Sequence, residues 1–161
     1  MIRVERLAGY DDGLATEMGK LLEDLSSKDT GAPISREWIE SIVASPWHVQ
    51  LLAFDEDELV GMATVSVVLG AHIGRDKFEE DKGGPNVGRN VYLEDCVVSK
   101  KCQGKGIGKL LWNEVVAWGR EKGAKRLEFS TTGGDRKTGA VGFYLKMGAE
   151  IRETNFFRFE L

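Results

Sequence analysis

The sequence predicts an α/β fold, in which a mixed central sheet of about six or seven strands carries helices on both faces. Two apolar patterns predict it: some segments have an apolar residue at every second position, and others at every third or fourth. In addition, neither an internal repeat nor a linker divides the 161 residues, a length at which one domain buries its own core. We therefore expect a single domain over residues 1–161 with the order β-α-α-β-β-β-α-β-α-β.

The first elements are a strand, a helix and a loop. Residues 2–7 alternate apolar and charged side chains, which indicates a short strand. Residues 10–27 repeat apolar residues at helical spacing, and the inward positions are Leu14, Met18, Leu21, Leu22 and Leu25. Residues 28–33 contain glycine and proline and predict a loop before the next helix.

A second helix and a hairpin follow. Ser35 is of a residue type that caps helix N-termini, and Pro46 ends the helix that it begins. The inward positions of this helix are Trp38, Ile39, Ile42 and Val43. Residues 47–54 and 59–69 are rich in β-forming residues and flank an acidic tip, so they predict a β-hairpin.

The second half begins with a glycine-rich and charged segment, residues 70–90, for which we expect a loop, either functional or without a role. Residues 91–98 predict a strand that leads into a glycine turn and a helix closed by Gly123. The inward positions of that helix are Ile107, Leu110, Leu111, Val115 and Trp118. Residues 125–131 predict a strand, Ala140 to Met147 a last helix closed by Gly148, and residues 149–161 a final strand.

Composition excludes several functional classes. The net charge of −4 argues against a nucleic-acid binder, which is usually basic. No apolar run approaches the roughly 20 residues that cross a bilayer, and the first residues lack the apolar segment of a signal peptide. The two cysteines, Cys96 and Cys102, form neither a disulfide framework nor a metal site. We expect a cytoplasmic protein without a metal, a membrane or a nucleic-acid partner.

Residues 103–109, Gln-Gly-Lys-Gly-Ile-Gly-Lys, are the strongest local signal. Their glycines leave the start of a helix bare, so that its free N–H groups and its dipole can bind an anion. A P-loop is excluded because its first glycine would fall on Gln103 and its hydroxyl on Leu110. The dinucleotide fingerprint is disfavoured because its third glycine would fall on Lys109. The remaining pattern is [Gln/Arg]-x-x-Gly-x-[Gly/Ala], which the segment fits fully.

With this turn, the element order and the run Phe-Tyr-Leu-Lys-Met-Gly-Ala at 143–149, the chain resembles the GNAT superfamily of N-acetyltransferases. The resemblance implies acetyl-CoA as co-substrate. The pyrophosphate of acetyl-CoA would then be held by the turn, and its pantetheine arm by the main chain of the strand before it. The positions implied are Cys96, Val97, Val98, Gln103, Gly104, Lys105, Gly106, Ile107, Gly108 and Lys109.

The resemblance also implies catalytic residues. The family's tyrosine, which gives a proton to the leaving thiolate, corresponds to Tyr144; spacing alone favours a core tyrosine, and the motif favours the acid role. Glu94 is the candidate general base, with Asp95 as the alternative and a structural ion pair as the other interpretation. Because neighbours on a strand point to opposite faces, we expect only one of the two carboxylates to face a given cleft. A cysteine nucleophile is disfavoured, since neither cysteine has a histidine at a recognisable spacing.

The function that follows is transfer of an acetyl group from acetyl-CoA to a primary amine, by direct attack in a ternary complex. A small-molecule amine is the expected acceptor. The alternatives are a protein N-terminus or lysine as acceptor, and an acyl-CoA-binding module without turnover. Phe156 and Phe157 permit a homodimer through the last strand, although core packing explains them equally well.

Overall fold

Five strands form one sheet in a computed structural model of the chain, which describes residues 1–26, 30–70, 88–131, 139–152 and 160. The strands are β1 (Ile2–Arg6), β2 (His48–Asp55), β3 (Glu58–Gly70), β4 (Gly88–Val98) and β5 (Arg126–Glu128). They lie side by side in chain order. The first three pairings are antiparallel and the β4–β5 pairing is parallel. The predicted α/β class and the mixed sheet are confirmed.

The described residues contain four α-helices: α1 (Asp12–Leu25), α2 (Arg36–Ala44), α3 (Ile107–Glu121) and α4 (Gly139–Lys146). A short 3₁₀ turn, Lys100–Cys102, joins β4 to the glycine turn before α3. The Ser35 hydroxyl accepts a hydrogen bond from the Trp38 amide at 3.2 Å, which confirms the predicted N-cap of α2. No helix in the described part of the chain is long and apolar enough to cross a membrane.

The two faces of the sheet carry different helices, as β3 shows. Met62 packs in one buried cluster with residues of α1 and α2, among them Met18 and Ile39. The neighbouring Gly61 faces α3, because a Cβ there would lie 3.1 Å from the Leu111 side chain. Alternate residues of a strand point to opposite faces, so α1 and α2 cover one face of the sheet and α3 covers the other.

The chain divides into two compact units. Met1–Phe129 contains the whole sheet with α1, α2 and α3, and Ser130–Leu161 contains α4. In the second unit, Gly148 ends α4 with a φ of 89°, and the Ala149 amide donates to the Tyr144 carbonyl at 3.0 Å. This is the glycine-closed helix end that the sequence predicts.

Several predictions of detail are wrong. The sheet of the described residues has five strands rather than six or seven, and residues 149–152 are not a strand. The rest of the expected last strand, with Phe156 and Phe157, falls mostly outside the described residues. The bounds of the expected loop at 70–90 are wrong, because β3 reaches Gly70 and β4 begins at Gly88; residues 71–87 lie outside the described residues. Four residues expected to point inward are exposed: Leu25, Trp38, Val43 and Leu110. They lie at the borders of the apolar stripes of their helices, where periodicity alone does not decide burial.

Candidate active site

The glycine turn adopts the conformation that its sequence requires. Gly104 and Gly106 have φ angles of 82° and 83°, in the left-handed region that L side chains rarely adopt. Gly106 is also the N-cap of α3, and no side chain caps this helix end. A Cβ added at Gly106 would meet no heavy atom within 4 Å. The turn therefore presents open space and uncapped backbone N–H groups, an arrangement suited to a phosphate.

Lysines surround this turn and one of them is fixed. Lys100, Lys101, Lys105 and Lys109 are exposed. The Lys100 amide donates to Asp24 Oδ2 at 3.0 Å, and Lys100 Nζ lies 3.5 Å from Asp24 Oδ1. The backbone hydrogen bond from Lys100 is the main reason that the pKa of Asp24 lies below its ordinary value. A carboxylate of α1 thus anchors the segment that leads into the turn.

The strand before this turn, β4, and the strand after its helix, β5, separate from each other. The pairing between β4 and β5 covers only Asn90–Tyr92 against Arg126–Glu128. On the other side, β4 stays paired with β3 up to Val98. The main chain of Cys96, Val97 and Val98 therefore lies beyond the point where β4 and β5 separate, where the resemblance places the pantetheine arm. An added extended chain could pair with such an edge.

A β-bulge lies in β4 at this point. Val65 of β3 pairs with Leu93, but the next residue, Thr64, pairs with Asp95. Glu94 is consequently the extra residue of the bulged strand. Bulges re-aim side chains and are frequent near active sites.

The bulge brings both candidate carboxylates to the same face of the sheet. Asp95 is the register partner of Thr64 and shares its face. Glu94 Oε1 accepts a hydrogen bond from the hydroxyl of Ser66 at 2.6 Å, and Ser66 is on the face of Thr64 because the two are two residues apart. An unbroken strand would place the two side chains on opposite faces. Asp95 lines the cavity on this face and Glu94 is exposed, so the expectation that only one carboxylate faces a given cleft stays a prediction.

A polar row crosses the middle of this face beneath α2. Gln50, Thr64 and Asp95 are register partners on three adjacent strands. The Thr64 hydroxyl donates to Gln50 Oε1 at 2.7 Å, and both residues are buried. All three line a cavity of about 340 Å³. Because buried polar groups are costly without partners, such a row inside the protein indicates a binding site.

The remaining catalytic candidate, Tyr144, belongs to the second unit. It is buried on α4, and its ring meets Phe143 edge to face at a centroid distance of 5.1 Å. Its role as a proton donor stays a prediction.

Sequence reasoning missed four residues of this region: Asp24, Gln50, Thr64 and Ser66. Asp24 is separated from Lys100 by 76 positions, so no local pattern marks it. Gln50 carries a signal that could have been used, because a glutamine in the middle of an apolar strand needs a partner.

Comparisons with known proteins identify the family of the chain. The sequence profile described as acetyltransferase (GNAT) family matches residues 17–149. A thialysine N-ε-acetyltransferase from Sus scrofa is 34% identical over 77 residues, a stretch that covers 45% of this chain and 44% of the relative. The match thus spans less than half of that curated relative.

Solved structures share the fold over nearly the whole chain. An aminoglycoside acetyltransferase from an uncultured soil metagenomic sample, in complex with sisomicin, has a TM-score of 0.72 at 20% identity and is aligned over 99% of this chain and 97% of its own. An aminoglycoside N-acetyltransferase in complex with CoA gives 0.70 at 17% identity, over 99% and 95%. A transcriptional regulator from Bacillus halodurans gives 0.76 at 15%, over the full length of both chains.

The family profile covers most of the chain and includes both the donor turn and the Phe-Tyr run of α4. The expected acyltransferase class is confirmed with it. The chain belongs to the acetyltransferase (GNAT) family.

Proposed function

We propose that the protein transfers an acetyl group from acetyl-CoA to the primary amine of a small molecule, by direct attack in a ternary complex. The observation that carries this proposal is the bulge in β4. It places Glu94 and Asp95 on one face of the sheet, where Asp95 lines the cavity, at the point where β4 leaves β5 and turns toward the uncapped start of α3. One strand, β4, thus carries a pair of carboxylates for the proposed acceptor and leads into an anion site for the proposed donor.

The donor would be held mainly by main-chain groups. The amides from Gly104 to Lys109 would bind the pyrophosphate, and Lys105 and Lys109 would add an attraction that salt screens. Cys96, Val97 and Val98 would pair with the pantetheine arm, and one N–H there would stabilise the developing oxyanion. Gln103 supports this arrangement, because its Nε2 lies 3.4 Å from the carbonyl of Val98.

Glu94 would act as the general base, directly or through water. An alkyl ammonium has a pKa near 10.4 and must lose a proton before its nitrogen can attack the thioester carbonyl. The Ser66 hydroxyl fixes one carboxylate oxygen, Oε1, and leaves the other, Oε2, for this task. A C–N bond forms and the C–S bond breaks. The nitrogen loses a second proton as it becomes an amide; one proton ends on the CoA thiol and one in solvent.

Tyr144 would supply the proton that the leaving thiolate takes up. This role requires the two compact units to work as one acetyltransferase domain, which we propose over residues 1–161. The family match supports it, because residues 17–149 extend across the boundary between the units. A cytoplasmic location and a homodimer stay predictions.

The test measures thiol release from acetyl-CoA across a panel of small amines, together with acetyl-CoA binding. We expect turnover with at least one amine, and a fall of about 100-fold in kcat/KM for both Glu94→Gln and Tyr144→Phe, which is the usual contribution of one proton-transfer group. Two matched controls should keep full activity: Glu17→Gln, which alters an exposed carboxylate on α1, and Tyr10→Phe, which removes a hydroxyl bonded to Asp12.

Other outcomes would contradict the proposal. Binding of acetyl-CoA without thiol release for any amine or peptide would show a binding module. Release only with peptides would show a protein acetyltransferase. Undiminished turnover of either variant would overturn the role assigned to that residue.

A further inference from the structure

The cavity above the polar row has a composition that restricts the acceptor, and this inference rests on the proposed function. Its walls are mainly apolar and come from α1, the segment before α2, α2 itself and β3, with Met18, Leu22, Ile34 and Met62 among them. Its volume of about 340 Å³ lies near the lower end of the range of roughly 300–1,000 Å³ that is typical of ligand sites. The cavity therefore fits a small ligand with an apolar body.

One aromatic side chain stands at the side of this cavity. Trp38 lines it and is 37% exposed, although it was expected to point into the core. The Ser35 cap fixes the backbone of Trp38 in the first turn of α2. An indole that is held on a capped helix start beside an empty cavity is a preorganised surface for a flat apolar group.

The opposite, inner end of the cavity is polar and carries one negative charge. The Thr64 hydroxyl donates to Gln50 Oε1 and so orients the side-chain amide of Gln50. The Nε2 of that amide lies 3.4 Å from the carbonyl oxygen of Leu51. Among the described residues of the lining, Asp95 is the one charged side chain. This described part of the lining thus offers a carboxylate to a cation and no cation to a ligand carboxylate.

This arrangement discriminates among amines. A second ammonium or a carboxylate placed away from the polar end would lie against the apolar side chains of the described lining, and a buried polar group without a partner is costly. A single ammonium at Asp95 with an apolar body against Trp38 leaves no such group. We propose that the acceptor is a small primary monoamine with one aryl or alkyl body, and that Trp38 determines this specificity.

The test compares four amines as acceptors and as ligands of the CoA-saturated protein: 2-phenylethylamine, 1,6-diaminohexane, thialysine and sisomicin. We expect 2-phenylethylamine to have the highest kcat/KM and to bind at least about tenfold tighter than the other three, as 1.4 kcal/mol of discrimination gives. Equal or reversed binding overturns the inference. If the diamine or sisomicin binds more tightly than 2-phenylethylamine and is acetylated, the inference fails and the proposed function stands. If 2-phenylethylamine binds most tightly but no amine causes thiol release, the proposed function fails and the inference about binding stands.

A pair of tryptophan variants tests the specificity residue. Trp38→Ala should raise the KM for 2-phenylethylamine by about tenfold, as loss of an aromatic anchor does, and leave the KM for acetyl-CoA unchanged. The control is Trp47→Ala. Trp47 is 39% exposed, close to the value for Trp38, but it contacts Arg89 and is not part of the cavity lining. Equal effects of the two variants, or no effect of Trp38→Ala, would overturn the assignment.

Discussion

At the scale of single residues, Gly106 combines a backbone conformation that favours glycine with open space beside its Cα. Its φ of 83° disfavours any L side chain, and the space where a Cβ would lie is empty. The neighbouring Gly108 is already helical and has no positive φ, so its backbone alone does not require glycine. The three glycines of the turn are therefore not equivalent, which the motif by itself does not reveal.

We predict that Gly106→Ala weakens donor binding beyond its effect on folding. Alanine in the left-handed region costs about 1–2 kcal/mol of stability, and the added methyl group would hold phosphates away from the amides. The control is Gly123→Ala at the other end of α3, which has a φ of 70° and equally open surroundings. Denaturant melts should show similar losses for both variants. Only Gly106→Ala should raise the KM for acetyl-CoA; an equal rise in both variants would refute a phosphate at this turn.

At the scale of elements, α1 connects the two halves of the proposed site. Met18 and Leu22 of α1 line the acceptor cavity, and Asp24 of the same helix holds the chain at Lys100 before the donor turn. A helix that contacts both regions fixes their separation. We therefore expect Asp24 to act as a positioning residue for the turn.

We predict that Asp24→Asn raises the KM for acetyl-CoA severalfold, with a smaller change in kcat. The same variant should lower the free energy of unfolding at neutral pH by about 1 kcal/mol, the value of one hydrogen bond to a charged group that is partly exposed. Because the folded-state pKa of Asp24 is lowered, its contribution is present above the unfolded value of roughly 3.9 and is lost as the pH falls through the folded value. Urea melts from pH 7 to pH 2 should show the difference between wild type and variant shrinking below about pH 4. Asp57→Asn, at the exposed hairpin tip, is the control; the same pH-dependent difference in that variant would refute the role of Asp24.

At the scale of the first compact unit, the sheet separates the proposed acceptor cavity from α3. One face carries the cavity beneath α1 and α2, and α3 packs against the other so closely that a Cβ at Gly61 would lie 3.1 Å from the Leu111 side chain. The donor turn lies where β4 crosses from the sheet to α3. Binding at this junction would link strand, turn and helix, so the ligand should stabilise the folded chain.

We predict that CoA raises the melting temperature, because a ligand at 100 times its Kd adds about 2.7 kcal/mol of stability. Pantetheine at the same concentration should stabilise far less, since it lacks the phosphates that the turn and its lysines would bind. Added salt should weaken the effect of CoA by screening those lysines. Equal stabilisation by pantetheine and CoA would contradict the assignment of the turn to the pyrophosphate.

The sequence by itself determined the fold class, the order of the elements from β1 to α4 and the glycine turn before α3. These features are local: residues 103–109 are contiguous, and apolar periodicity depends only on neighbouring positions. The N-cap at Ser35 and the glycine helix end at Gly148 were predictable for the same reason.

Only the tertiary structure decided which residues surround the proposed acceptor cavity. The joint orientation of Glu94 and Asp95 depends on a register shift against β3, and strand register is a property of two segments rather than one. The exposure of Trp38 and the bond from Lys100 to Asp24 likewise depend on which distant segments pack together. The glycine turn is readable in the sequence because its proposed chemistry is main-chain and local, whereas the proposed acceptor cavity is assembled from side chains of α1, α2, β2, β3 and β4.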